Sequence, residues 1–245
     1  MPDHKPVTPY SDTDVSKKGQ VTRMFDKIAP YYDNLNRILS FGIDILWRRK
    51  AIKMLAKENP LTILDIATGT GDLAIEAARV IKPIKITGMD ISANMLKIGN
   101  EKIVKKGLTD VINMEIGDSE NLKYETASYD AVMAAFGVRN FENLEKGLSE
   151  MFRVLKPGGT LLVLEFSKPR YFPLKQLFNL YFKNILPVIG KLRSKDDKAY
   201  KYLYESVQVF PDYHSFTDIL IKLGYSKANF KVLSAGICCI YFAKK

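Results

Sequence analysis

Apolar residues in this chain fall into short buried runs that alternate with stretches of helical spacing. Strand-type runs cover Thr62 to Ala67, Lys85 to Asp90, Asn113 to Gly117, Tyr129 to Ala135 and Thr160 to Phe166. Between them, helical patterns run from Leu73 to Ile81, from Ala93 to Lys106 and from Leu144 to Leu155. This alternation predicts an α/β fold built on a doubly wound, mostly parallel sheet. Lys156, Pro157, Gly158 and Gly159 form the turn that ends a helix and enters the strand beginning at Thr160. After Phe166 the rhythm breaks into an aromatic-rich insertion, Tyr171 to Leu192, followed by a helix near Asp197 to Val207. A last helix, Tyr213 to Leu223, and strands near Phe230 to Leu233 and Ile237 to Phe242 close the domain.

The stretch before the first strand reads differently. Residues 1 to 20 are polar and contain proline, which predicts a mobile arm. From Val21 to Glu58 the residues Leu35, Ile38, Leu39, Leu46, Ile52 and Leu55 recur at helical spacing, punctuated by Pro30 and Gly42. Helices placed ahead of the sheet either fold over its site as a lid or pack on its edge. The expected organisation is one domain, 21–245, with N-terminal helices over 21–58 and an insertion over 168–207.

Composition narrows the setting. At 245 residues and 47% hydrophobic, the chain buries a full core. No apolar run is long enough to span a bilayer, and the start lacks a secretory signal, so a cytoplasmic location is expected. Cys238 and Cys239 are adjacent, which suits a strand better than a disulfide or a metal site; with only His4 and His214 as imidazoles, no metal is expected. Lys plus Arg number 37 against 27 Asp plus Glu, giving a formal charge of +10 that favours anionic partners. Much of the excess lies in Lys168, Arg170, Lys175, Lys183, Lys191, Arg193, Lys195, Lys198 and Lys201, faced within that region by Asp196 and Asp197. A solvated helix face and an acidic membrane surface both fit it.

The candidate chemistry starts at Ile63 to Asp72, ILDIATGTGD, where a strand delivers a glycine turn onto a helix start. Gly69 and Gly71 permit a tight turn and close approach of backbone to a ligand, and Asp72 suits the first turn of a helix. Gly69, Gly71 and Ala74 also satisfy a loose dinucleotide fingerprint, so the turn by itself leaves NAD open. Asp90 ends the second strand about 20 residues further on, where an acid accepts from both hydroxyls of an adenosine ribose. Asp118, beside Ser119 after the third strand, and Asp65 inside the first are acids that a dehydrogenase does not predict. Asp65 is costly to bury unless glycine-loop amides or a cofactor ammonium satisfy it.

Together, Asp65, Gly69, Gly71, Asp90 and Asp118 resemble the class I, Rossmann-like methyltransferases that use S-adenosylmethionine, although those usually carry glycine in place of Ala67. Arg153 to Ser167, RVLKPGGTLLVLEFS, and Tyr32 to Trp47, YDNLNRILSFGIDILW, narrow the resemblance to the ubiquinone and menaquinone biosynthesis C-methyltransferases. FGVRN, Phe136 to Asn140, and YLYESVQVFPD, Tyr202 to Asp212, resemble further segments of that family. The chain departs from it at Asp44, usually histidine, which is assigned no role, and at Ala135, serine in some members.

The resemblance implies methyl transfer from S-adenosylmethionine to a ring carbon of a prenylated quinol. A demethylmenaquinol is expected, with a polyprenyl methoxybenzoquinol as the alternative. It places Thr70, Asp90, Asp118 and Ser119 on the cofactor beside Gly69 and Gly71, and Arg139 and Asn140 on the quinol, where Arg139 would stabilise a developing oxyanion. The alternative is that Arg139 eases loss of the proton to a water, with Asn140 orienting either species. Arginine essentially never deprotonates, so a direct general-base role is the less attractive version. The aromatic insertion would wall a prenyl chain, and its lysines would meet acidic headgroups at the inner face of the membrane. A homo-oligomer or a quinone-biosynthesis complex fits the same reading. Two rivals remain: a nucleic-acid methyltransferase, disfavoured by Ala134, Ala135, Phe136 and Gly137 where amino-methylating enzymes carry Pro-Pro-aromatic, and a non-catalytic cofactor-binding subunit.

Overall fold

The computed structural model describes residues 7–10, 12, 14–185 and 197–245. Its sheet has seven strands in the order β3-β2-β1-β4-β5-β7-β6. The parallel strands are β1 (Thr62–Ile66), β2 (Lys85–Asp90), β3 (Ile112–Ile116), β4 (Tyr129–Ala135) and β5 (Leu155–Phe166). β6 (Lys227–Leu233) and β7 (Cys238–Lys244) form an antiparallel pair, with β7 lying against β5. β5 begins five residues earlier than the pattern predicts, because the Lys156–Gly159 turn sits within the ladder as a register shift opposite Tyr129 and Ala131.

Each strand sends alternate residues to opposite faces, as its two-residue period requires. Leu64, Ile66, Val132, Ala134 and Val163 pack on one face against α5 (Leu144–Val154) and α8 (His214–Lys222). Ile63, Ile86, Ala131, Met133 and Leu164 pack on the other against α2 (Ile43–Leu55), α3 (Asp72–Val80) and α4 (Ala93–Lys105). Burying one such aliphatic side chain contributes about 1.5–3 kcal/mol before entropy is counted. Cys238 and Cys239 are buried free thiols on opposite faces of β7.

A third apolar cluster joins α1 (Lys17–Leu39) to α6 (Leu174–Leu180), the π turn Tyr181–Ile185 and α7 (Asp197–Val209). Two expectations change here. The arm boundary at residue 20 falls inside α1, whose Gln20 is buried and donates to the carbonyls of Asp12 and Val15. Pro30 does not break the helix: α1 runs through it, and the carbonyl of Asp26, which proline's missing N–H leaves without a helical donor, accepts from Asn94 Nδ2 at 3.1 Å. Gly42, at φ +74°, does end the run and turns the chain into α2. Leu186, Lys191, Arg193 and Lys195 of the basic aromatic insertion lie outside the described residues.

Candidate active site

All the candidate chemistry gathers at the carboxyl edge of the parallel strands, where β1 and β4 lie side by side and the strand order reverses. β1 ends at Ile66 and the chain enters a tight turn in which Ala67, Gly69 and Gly71 have φ of 53°, 57° and 79°. A left-handed alanine costs about 1–2 kcal/mol, which a glycine at this position would not incur. Its methyl is accommodated by Gly137, where an added Cβ would lie 2.5 Å from that of Ala67. At Gly69 an added Cβ would meet no atom within 4 Å, so this face of the turn is open to a ligand.

Asp90, buried at the end of β2, accepts from the Gly69 amide at 2.8 Å through Oδ2 and from the Ser92 amide at 2.9 Å through Oδ1. With the Ile91 amide also acting on it, the carboxylate still has acceptor capacity left for a hydroxyl donor. Burial raises its pKa, and the amide hydrogen bonds oppose the rise. Gly69, Asp90, Gly117, Asp118, Ser119 and Ala135 line one hollow, closed from above by Lys18, Val21 and Phe25 of α1. Burial acts against ionisation of Asp118 as well, but the Lys18 ammonium at 2.7 Å and the Glu120 amide hold its pKa below the usual value. α1 thus borders the hollow through Lys18, Val21 and Phe25 while packing along α4, so it combines the two arrangements expected of a helix placed ahead of the sheet.

Thr70 and Gly71 are not in the lining. The Thr70 hydroxyl turns away and donates to Asp33 Oδ1 at 2.6 Å while accepting from Lys102 Nζ at 3.1 Å. It belongs to a polar cluster in which Asp33 and Asp72 share Lys102, and Arg37 bridges Asp72 to Asp44. Asp44 is buried, accepts from Ser40 Oγ at 2.8 Å and also pairs with Arg48. The acid at a position where the resemblance expects histidine thus ties α1 to α2 and, through Arg37, to the start of α3.

Asp65 satisfies only half of its carboxylate. Oδ2 accepts from Thr68 Oγ1 at 2.6 Å, whereas Oδ1 has no partner among the described residues. Burial pushes its pKa from 3.8 to about 7, against the pull of the Thr68 hydroxyl and with help from nearby Asp90. The folded protein therefore keeps a proton that the unfolded chain releases near pH 4, and stability conferred by this site falls as pH rises from there towards 7. Asp65→Asn is expected to flatten that part of the curve, as the difference between wild-type and variant melting temperatures across the interval would show.

Beyond the hollow lies a second, mostly apolar cavity of about 330 Å³, walled by α1, α2, α6, α7 and the end of β5. Phe25, Tyr32, Phe136 and Asn140 line both spaces. The turn after β4 supplies the partition: Phe136 has φ 58°, and Val138–Asn140 form a single 3-10 turn. Arg139 Nη1 donates to the Phe136 carbonyl and, at 2.9 Å, to Glu165 Oε1, and its guanidinium lies 5.5 Å from the centre of the Phe166 ring. The pair is desolvated, with side chains 8% and 0% exposed. Burial raises the pKa of Glu165 even though Arg139 lowers it. Glu165 is a functional residue absent from the sequence expectation; its signal is an acid at the end of an otherwise apolar strand, which demands a buried cation. An apolar space whose two guanidinium groups, Arg48 and Arg139, are both paired with buried acids suits an uncharged hydrophobic molecule on which a negative charge develops.

The chain matches the ubiE/COQ5 methyltransferase family over residues 13–245. It is 47% identical over 239 residues to a demethylmenaquinone methyltransferase of Bacteroides fragilis, covering 98% of this chain and 97% of that one. A ubiquinone/menaquinone biosynthesis C-methyltransferase of Geotalea daltonii is 44% identical, with 94% and 99% covered. Among solved structures, an S-adenosylmethionine-dependent methyltransferase of Thermotoga maritima superposes with a TM-score of 0.61 at 22% identity, over 91% of this chain and 99% of that one. A second, from Methanococcus maripaludis, gives 0.62 at 21%, over 90% and 94%. The solved structures carry the fold, which is that of class I methyltransferases, and the sequence relatives carry more: this chain belongs to the ubiE/COQ5 methyltransferase family.

Proposed function

We propose that this chain transfers a methyl group from S-adenosylmethionine to a ring carbon of demethylmenaquinol, yielding menaquinol. The observation that carries the reading is the shared wall: a hollow that holds the Asp90, Asp118 and Ser119 side chains and a larger apolar cavity meet at Phe136 and Asn140, with Arg139 lining the larger cavity alone. The name of the Bacteroides relative supports this reaction, and that of the Geotalea relative supports C-methylation in ubiquinone or menaquinone biosynthesis.

The hollow fits the cofactor by the chemistry of its residues. Asp90 has spare acceptor capacity for ribose hydroxyls, the Gly69 face is open, and Asp118 and Ser119 add a polar rim. When bound there, S-adenosylmethionine supplies an electrophilic sulfonium methyl. The protein's own task is to make an aromatic carbon nucleophilic, which follows when the neighbouring phenol loses its proton. Arg139 lowers the cost of that charge and, being a permanent cation, does not take the proton itself. The apolar walls, Trp47, Phe166, Phe178 and Phe182 among them, exclude bulk solvent and align the ring, a contribution that needs no further charged group.

The mouth of the apolar cavity supports a membrane-facing role. Phe41, 83% exposed, and Leu174 and Leu177 line it, next to exposed Tyr171 and Phe172 and near Lys175 and Lys183. The basic segment is less free than its composition suggests. Lys168 is held by the carbonyls of Gln208 and Phe210, and Arg170 lies over the Tyr213 ring. Among the described residues no helix is long and apolar enough to cross a membrane, so attachment would be peripheral. Binding to anionic vesicles should weaken as salt rises. Co-sedimentation at two ionic strengths tests this, and equal binding to neutral vesicles at both would remove the electrostatic part.

Removing the protein from its host tests the substrate. Accumulated demethylmenaquinone is the expected result; accumulated methoxybenzoquinone would move the assignment to the ubiquinone branch.

A further inference from the structure

Buried polar groups without partners are costly, so those a protein keeps in a cavity mark where a ligand is to supply them. Arg139 Nε, Asn140 Oδ1 and the Tyr202 hydroxyl are buried side-chain atoms of this kind, and all three residues line the apolar cavity. They come from separate parts of the chain: Arg139 and Asn140 from the turn after β4, Tyr202 from α7, in the last part of the insertion.

Their chemistry is complementary. The Asn140 amide nitrogen is committed to the Phe136 carbonyl, which can only accept, so Oδ1 offers an acceptor. Arg139 Nε–H is a donor. Tyr202 is 2% exposed, and burial raises its pKa well above the usual value, so its phenol stays protonated and is a donor too. Arg139 and Glu165 are the charged groups acting on it. Two donors and one acceptor match an aromatic diol that has lost one proton: the oxyanion takes the donors and the remaining O–H meets the acceptor.

Resting on the quinol reading above, we propose that the Tyr202 hydroxyl donates a hydrogen bond to the quinol oxygen beside the reacting carbon, sharing that oxygen with Arg139. Tyr202 is then a second catalytic group, and it makes α7 part of the site. It also gives the insertion a chemical role besides that of an apolar wall.

The test is Tyr202→Phe, which keeps the ring and removes only the hydroxyl. The other titratable and charged groups around the cavity, Tyr32, Asp44, Arg48, Arg139, Glu165 and Tyr181, are unchanged. Single-turnover methylation of a short-tailed demethylmenaquinol should slow by roughly tenfold, and the rising limb of its pH profile should move to higher pH, because an oxyanion with one donor fewer forms less readily. S-adenosylmethionine titration should be unchanged. A slower variant whose pH limb superposes on that of the wild type would assign Tyr202 to packing and overturn the proposal. Titration of a bound prenylated naphthol, followed by naphtholate absorbance, gives a readout independent of turnover. If the wild type fails to methylate the quinol while the naphthol still ionises more easily in it than in the variant, the reaction is misassigned and the Tyr202 contact stands. Equal ionisation in both proteins sinks the contact.

Discussion

Replacing Arg139 with leucine is expected to slow methyl transfer on the order of a hundredfold or more while leaving S-adenosylmethionine affinity nearly unchanged. The division follows from where the side chain lies. Arg139 lines the apolar cavity and not the cofactor hollow, so its loss acts on charge that develops on the quinol. Glu165 complicates the single variant, because removing the cation leaves a buried carboxylate uncompensated, at about 3–5 kcal/mol. Arg139→Leu combined with Glu165→Gln removes that penalty and should be as slow as the single variant while melting closer to the wild type. Lysine at 139 should rescue in part, since a point charge cannot serve Glu165, the Phe136 carbonyl and a ligand oxygen in the plane of one fork. Single-turnover rates beside cofactor titrations decide the matter. Near-normal chemistry in the double variant would make the Arg139–Glu165 pair structural.

Asp90→Ala carries the second large effect, this time on binding. The carboxylate organises the Gly69 and Ser92 amides and is the acceptor offered to the ribose, so its loss should weaken S-adenosylmethionine binding by roughly 2 kcal/mol or more. Asp90→Asn keeps one acceptor oxygen and should fall between alanine and wild type. Calorimetry on the three proteins checks the order. An alanine variant that binds as tightly as wild type would put the cofactor elsewhere.

The parallel core was legible because its strands are apolar runs separated by helices of ordinary length, and the acids at their ends stood out against that background. Asp90, Asp118 and Ser119 do line the hollow. Thr70 does not, because the side-chain direction within a turn is set by three-dimensional neighbours, here Asp33 and Lys102, that lie 37 residues before and 32 after it. Asp44 looked like an unexplained departure for the same reason: its partners Arg37 and Arg48 are near in sequence, but their convergence depends on the corner at Gly42. Pro30 misled because a helix tolerates proline when another group takes the freed carbonyl, and Asn94 lies 64 residues away from it. Glu165 and Tyr202 were both inside quoted motifs, yet what marks them, a buried pair and an unpartnered hydroxyl, exists only in the folded chain.

The central claim is tested most directly by incubating the purified protein with methyl-labelled S-adenosylmethionine and a short-tailed demethylmenaquinol kept reduced, then following the label by mass spectrometry. The predicted result is one labelled menaquinol and one S-adenosylhomocysteine formed per methyl transferred, with the label on the ring carbon and absent from oxygen. Unmethylated quinol recovered from a protein that binds the cofactor, or a label found on oxygen, would contradict the account.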